Sequence, residues 1–478
     1  MGVAVSNWRL ARSVSLHSAL GVISGSLIAV MLARRLAEGD PQGLMRRALE
    51  HFPIRPVAER VIDQYFIPGG KPSEEAFRSV PMPTLQPGTA LTELTVAANF
   101  VEVFLAKEGH DGAVGINLLE KVQLATLPSL YGAMLADVDV VLMGAGIPRA
   151  IPGALDQFAA GKPVALKIDV EGPRAGEEFY SRFDPQAFWG GALPPLLQRP
   201  RFLAIVSSAP LALTLARKSN GRVDGFVIEG NVAGGHNAPP RGPLQLSPQG
   251  EPVYGPRDEP ELAKFRELGL PFWLAGGYAR PEKLAQALAL GAAGIQVGTA
   301  FAFCDESGIE PALKREAIRT SRAGTARVFT DPAASPTGFP FKLAGIPGTL
   351  SESGCYGARE RICDLGYLRQ VYCKADGGVG YRCPAEPLAD YARKGGRVAD
   401  TAGRKCLCNA LVATAGLGQL RQGVREPAAV TAGDEMVDVA RLVPPGCDHY
   451  SAADVVRYLC NGHADGRVAN DALVAGCV

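Results

Sequence analysis

Three short stretches carry residue types that can do chemistry together. The first is a turn. Residues 225–228 are the apolar run Gly-Phe-Val-Ile, and residues 229–237 continue Glu-Gly-Asn-Val-Ala-Gly-Gly-His-Asn. An unbroken apolar run suits a strand buried on both faces. Gly234 and Gly235 remove the Cβ atoms that would hold a flat ligand away from the backbone. His236, one of six histidines, is a candidate general acid or base, weighed against an ordinary loop histidine. The second and third stretches are Gly276-Gly277 and Gly298-Thr299, which follow the apolar runs 272–275 and 294–297. One such pair would only make a tight turn. Two on consecutive strands, with the Thr299 hydroxyl added, predict a phosphate cradle of backbone N–H groups.

These turns need strands and helices to position them, and the chain supplies both in alternation. Apolar strands are predicted at 20–24, 113–118, 138–143, 164–170, 202–207, 225–228, 272–275 and 294–297. Helices are predicted at 7–15, 27–37, 92–107, 123–136, 151–160, 211–218, 259–268 and 281–290. Pro281 stands at the first position of the last of these, where its missing N–H costs nothing. Such alternation implies a parallel sheet with right-handed crossovers. With no Gly-x-Gly-x-x-Gly near the first strand, a (β/α)8 TIM-type barrel fits better than an open doubly wound sheet. Its site would lie at the C-terminal strand ends, where the glycine turns fall. Residues 35–90 and 171–200 read as insertions.

Composition narrows the function classes. Hydrophobic residues make up 47% and charged residues 20%, with a net charge of +1. A sizeable core is expected, and capture of nucleic acid or anionic lipid is not. The apolar stretch 16–33 is broken by His17, Ser18, Gly21, Ser24, Gly25 and Ser26, and reads as strand, turn and helix rather than a membrane span. A cytoplasmic setting is expected.

With these motifs in this order, the chain resembles the nitronate monooxygenase family, formerly called 2-nitropropane dioxygenase. That family shares its barrel with the flavin-dependent enoyl-acyl-carrier-protein reductases. The resemblance rests on 227–237, on Leu274-Ala275-Gly276-Gly277 and on 294–301, with Gly115-Ile116-Asn117 and Glu306-Ser307 in support, and covers residues 1–345. It implies FMN, with the phosphate at Gly276, Gly277, Gly298 and Thr299 and the ring against Gly234 and Gly235. Asn117 would add an amide contact, against the reading of a turn asparagine. Lys167, inside the run 164–170, would meet the flavin edge, against a lysine that snorkels outward. Gly2 and Val3 look like the loop that follows the family's first strand. That strand is apparently missing at the N-terminus, which would leave two sheet edges open. The implied reaction is oxidation of an alkyl nitronate by dioxygen to a carbonyl compound and nitrite, with His236 as general base. The alternatives are an FMN-dependent enoyl-thioester reductase of fatty-acid or polyketide synthesis, taking an acyl thioester, and a barrel that binds FMN without turnover.

All ten cysteines lie from Cys304 onward. Residues 346–478 therefore read as a small cysteine-rich C-terminal subdomain. Cys363, Cys383, Cys406 and Cys408 are its best candidate set for zinc or an iron–sulfur centre, against reduced, buried thiols.

Overall fold

The computed structural model describes residues 2–460 and the backbone of 473–475. Its strands, in chain order, are β1 (Leu20–Ser24), β2 (Val114–Leu119), β3 (Val140–Gly144), β4 (Val164–Lys167), β5 (Val170–Glu171), β6 (Tyr180–Phe183), β7 (Arg201–Val206), β8 (Gly225–Glu229), β9 (Phe272–Ala275), β10 (Gly294–Val297), β11 (Val328–Asp331), β12 (Phe341–Ala344), β13 (Gln370–Cys373), β14 (Val379–Arg382), β15 (Leu420–Arg421), β16 (Val424–Arg425) and β17 (Leu473–Ala475). Eight of them close a parallel barrel in the order β1-β17-β10-β9-β8-β7-β3-β2.

Closure takes place at an unexpected point. The chain opens on a turn at residues 3–5, and β17 fills the place between β1 and β10. Leu20 pairs with Val474 on one side, and Gln296 pairs with Val474 on the other. The two edges expected beside the N-terminus are therefore paired by backbone from the far end of the sequence.

The run 164–170 does not join the barrel, which corrects the expectation. β4 pairs antiparallel with β6, and β5 pairs with β13, in small sheets outside it. The burial of β4 alternates residue by residue, the mark of a sheet wet on one face. Barrel strand β3 pairs with β7 instead.

Strand parity sorts the side chains. Val22, Val140, Leu142, Leu203, Ile205, Val227, Trp273 and Ala275 form a separate apolar cluster inside the barrel. Their neighbours, such as Ile23, Ile116, Val141, Phe226, Ile228, Ile295 and Val297, pack outward against the helices in one large core. That core continues without a break into Leu407, Val412 and Val430 of the C-terminal region. The helix Trp8–Leu16 begins on Asn7, whose side chain accepts from the Arg9 and Leu10 N–H groups, a regular N-cap. Among the described residues one helix, Thr89–Lys107, is long and apolar enough to cross a membrane, and 78% of its apolar window is buried inside the fold.

Candidate active site

The inward parity of each strand, followed one step beyond the apolar cluster, reaches a ring of polar side chains. Val22 points inward, so Ser24 does; Val227 points inward, so Glu229 does. Gly115 abuts Val22 and Leu142, which places Asn117 on the inner face of β2. Ile295 and Val297 face outward, which turns Gln296 inward. The barrel is thus an apolar plug with a polar mouth at the C-terminal strand ends. The Ser24 hydroxyl and both polar atoms of the Gln296 amide are buried with no hydrogen-bond partner among the described residues. Buried polar atoms are rarely left unpaired unless a ligand or water serves them. The mouth therefore fits a flat, polar-edged cofactor such as a flavin ring. Ser24, Glu229 and Gln296 were missed in the sequence, although each is a polar residue at the inward position of an apolar strand.

The glycine–histidine turn is one wall of this mouth, fixed from behind by two distant segments. The Gly235 N–H donates to Thr431 Oγ1 at 2.8 Å, and the Thr431 hydroxyl donates to the Lys342 carbonyl at 2.7 Å. The Lys342 N–H in turn donates to the Gly235 carbonyl at 2.9 Å. A Cβ on Gly234 would lie 2.8 Å from the Ala432 carbonyl carbon and the Gly433 nitrogen. Gly234 is thus required by the chain's own backbone. Gly235 has φ +85°, a conformation glycine adopts without strain.

His236 is anchored rather than loose. Its Nε2 lies 2.7 Å from Ser335 Oγ, which lies 2.8 Å from Thr337 Oγ1. Its ring meets Phe341 edge-on, with centroids 4.8 Å apart. Nδ1 is buried and unpartnered among the described residues. Burial lowers the imidazole pKa to about 3, so the ring is neutral across the working pH range.

The strand ends of β8, β9 and β10 come together as expected. A Cβ on Gly276, at φ +87°, would lie 3.1 Å from the Ala233 nitrogen, and Gly277 has φ +75°. Thr299 Oγ1 accepts from the Gly433 N–H at 2.8 Å, leaving its own proton to donate; Gly298 precedes it. The segment 432–435 therefore lies along the proposed phosphate end. Glu435 accepts from the Ala279 N–H at 2.9 Å, and Arg441 pairs with Asp438 at 3.0 Å. Arg280 also pairs with Asp438. A phosphate here would rely on backbone N–H groups. Gly2 lies near Thr431, and Val3 is buried beside it in sequence.

Two expectations are corrected. Lys167 is not at the mouth: it is exposed on β4 and bonds Glu178 at 2.5 Å. Nor do the four cysteines form a metal centre. Among the described residues no group of three or more His, Cys, Asp or Glu is arranged to hold a metal ion. Cys363 and Cys383 touch. Cys406 and Cys408, two residues apart at the start of helix Leu407–Thr414, point to different sides, as helical phase requires. The Cys406 sulfur accepts from Asn409 Nδ2 at 3.4 Å, while Cys408 faces the backbone of Tyr367 and Leu368. Burial raises both thiols, favouring the neutral form that binds metal poorly.

A parallel barrel with a polar mouth at the C-terminal strand ends defines the class of barrel enzymes whose sites are built on βα loops. Residues 201–332 match the family described as nitronate monooxygenase. The nitronate monooxygenase of Pseudomonas aeruginosa is 37% identical over 133 residues, covering 26% of this chain and 35% of that protein. The (3aS,4S,5R,7aS)-5-hydroxy-7a-methyl-1-oxo-octahydro-1H-indene-4-carboxyl-CoA dehydrogenase of Mycobacterium tuberculosis is 29% identical over 210 residues, covering 41% of this chain and 56% of that one. The chain thus spans between about a third and just over half of these relatives. The solved structure of FabK from Thermotoga maritima is similar at 14% identity, with a TM-score of 0.45 over 96% of this chain and 89% of that one.

Proposed function

We propose that this protein is an FMN-dependent oxidoreductase that oxidises alkyl nitronates with dioxygen to carbonyl compounds and nitrite. The observation that carries the reading is His236: a neutral imidazole, anchored through Nε2 and Phe341, on the turn beside a mouth of polar groups unpartnered among the described residues. Ser24, Asn117 and Gln296 would hold the polar edge of the cofactor. Gly276, Gly277, Gly298 and Thr299 would hold its phosphate, and Gly2, Val3, Gly234 and Gly235 would line its approach. FMN, when bound, supplies the electron acceptor and the reaction with dioxygen.

His236 takes the α-proton of a neutral nitroalkane, which converts it to the nitronate. A neutral ring is ready to accept that proton, whereas an imidazolium is not. The Ser335 hydroxyl fixes the ring's orientation, and the apolar plug beneath excludes water from below. The substrate and dioxygen are small molecules, and a cytoplasmic setting suits the reaction.

A second reading has its own support. The M. tuberculosis relative carries a carboxyl-CoA substrate in its name, which favours an acyl thioester and an enoyl-thioester reductase role. Anaerobic mixing of the flavin-loaded protein separates the two. Bleaching by a nitronate supports the first reading, and bleaching by NADH with none by a nitronate overturns it. Unaltered activity in His236→Ala would reduce the histidine to a bystander.

A further inference from the structure

We propose that Glu229 is a second proton-carrying group of this site, donating a hydrogen bond to the anionic oxygen of the substrate while His236 handles the carbon-bound proton. The inference rests on the nitronate reading above.

Three observations carry it. Glu229 ends β8 on the parity of Val227, directly above the apolar plug and at the root of the turn that bears His236. It also faces a small cavity with Ser207, Asn231, Arg241, Tyr254 and Asp258. Finally, the titratable neighbours in that cavity, Arg241, Tyr254 and Asp258, each bond to other groups. Arg241 donates its guanidinium to the Ser207 carbonyl at 3.3 Å and its backbone N–H to Asp258 at 2.8 Å. Asp258 accepts from the Gly255 N–H at 2.8 Å, and the Tyr254 hydroxyl donates to the Ala238 carbonyl at 3.0 Å. Among the described residues no hydrogen bond or ion pair reaches the Glu229 carboxyl.

A carboxylate left alone in such a place is costly, so the group holds its proton. Burial raises its pKa to about 7. The other titratable groups that line the cavity with it are Arg241, Tyr254 and Asp258 from the loop 238–258, and His236 follows on the same turn seven residues later. β7 and β9 offer only Ser207 and Ala275. Burial thus pushes Glu229 upward and His236 downward. Two groups driven apart in this way divide the roles of acid and base. A nitronate carries its charge on the oxygens, and a carboxylic acid O–H is a short, strong donor to such an oxygen. An ionised Glu229 would repel it.

The experiment uses the flavin-loaded protein and follows kcat/KM for an alkyl nitronate from pH 5 to 9. Wild type should fall about tenfold per unit once Glu229 ionises, above about pH 7. Glu229→Gln should lower kcat/KM about tenfold at low pH and abolish that limb. A limb that persists in E229Q overturns the proposal, as does a variant that only loses FMN. Should E229Q fail to fold by circular dichroism, Glu229→Asp serves, with the limb retained but displaced. Infrared titration of the carboxyl, with propionate as a non-reactive anion of nitronate shape, gives a readout free of turnover. Propionate should move the Glu229 midpoint upward by about one unit, and no movement overturns the inference. Wild type that fails to turn over nitronates, with propionate still moving Glu229, would sink the nitronate reading alone.

Discussion

Two regions of this chain concentrate residues able to do chemistry, and they end differently. At the barrel mouth, side chains from strands far apart in sequence converge, and several polar atoms there lack partners among the described residues. In the segment 363–408, four cysteines also come near one another, yet only Cys363 and Cys383 touch, while Cys406 and Cys408 turn to neighbours of their own. The difference is geometric. Parallel strands in one barrel present the same parity at the same height, so inward residues meet by construction. Cysteines on a helix start and on two loops inherit no common direction.

The sharpest way to break this comparison is to remove the mouth's base. His236→Ala should reduce kcat/KM for the nitroalkane by about 10²–10⁴-fold, measured by nitrite release, with circular dichroism unchanged. Activity that persists would mean that convergence at the mouth is architectural only. Gly276→Ala comes next. It forces a Cβ at φ +87°, 3.1 Å from the Ala233 nitrogen, and should destabilise the protein by about 1–3 kcal/mol and weaken FMN retention.

A pH series sharpens the comparison within the mouth. His236 has a folded pKa of about 3 against 6.5, so its stabilising contribution is complete above pH 6.5 and is lost as pH falls towards 3. Glu229 has a folded pKa of about 7 against 4.5, so its contribution is complete below pH 4.5 and is lost as pH rises through 7. Between pH 4.5 and 6.5 the two slopes oppose each other. Urea melts of the flavin-free protein should show little net slope from this pair there. In Glu229→Gln the stability should rise with pH by up to about 1.4 kcal/mol per unit across the same window. An unchanged profile would show that burial does not set these two groups apart.

The cysteine region should respond least. Exhaustive dialysis against a chelator should leave the melting temperature within about 1 °C, and metal analysis should find less than about a tenth of an equivalent of zinc or iron. A stoichiometric metal would overturn the contrast. Lys167→Met, smallest of all, removes an exposed ion pair and should change stability by less than about 0.5 kcal/mol and leave FMN binding unaltered.

Much of the barrel was legible in the sequence because its strands are continuous apolar runs ended by glycine. β1, β9 and β10 fall where the residues predict them. The placement of 164–167 was not legible, since Val-Ala-Leu-Lys reads equally as a barrel strand or as one face of a hairpin, and only its pairing with β6 decides. The site was half legible. Glycine turns announce themselves locally, whereas Ser24, Glu229 and Gln296 gain meaning only from the parity of strands that must first be assigned. The closing strand β17 carries no local signal that it belongs between β1 and β10. The clamp of Thr431 and Lys342 on Gly235 joins residues nearly two hundred apart, beyond the reach of any spacing argument.

That clamp ties the turn to both ends of a long excursion, since Lys342 lies just before it and Thr431 just after it. The Gly235 amide then exchanges with solvent only when Thr431 lets go, which requires the excursion's closing end to detach. Hydrogen exchange at this single amide therefore measures how often the whole cysteine-bearing segment opens. A destabilised position far out in that segment would be felt first as a loosening of the histidine turn, with no change in any residue that touches it.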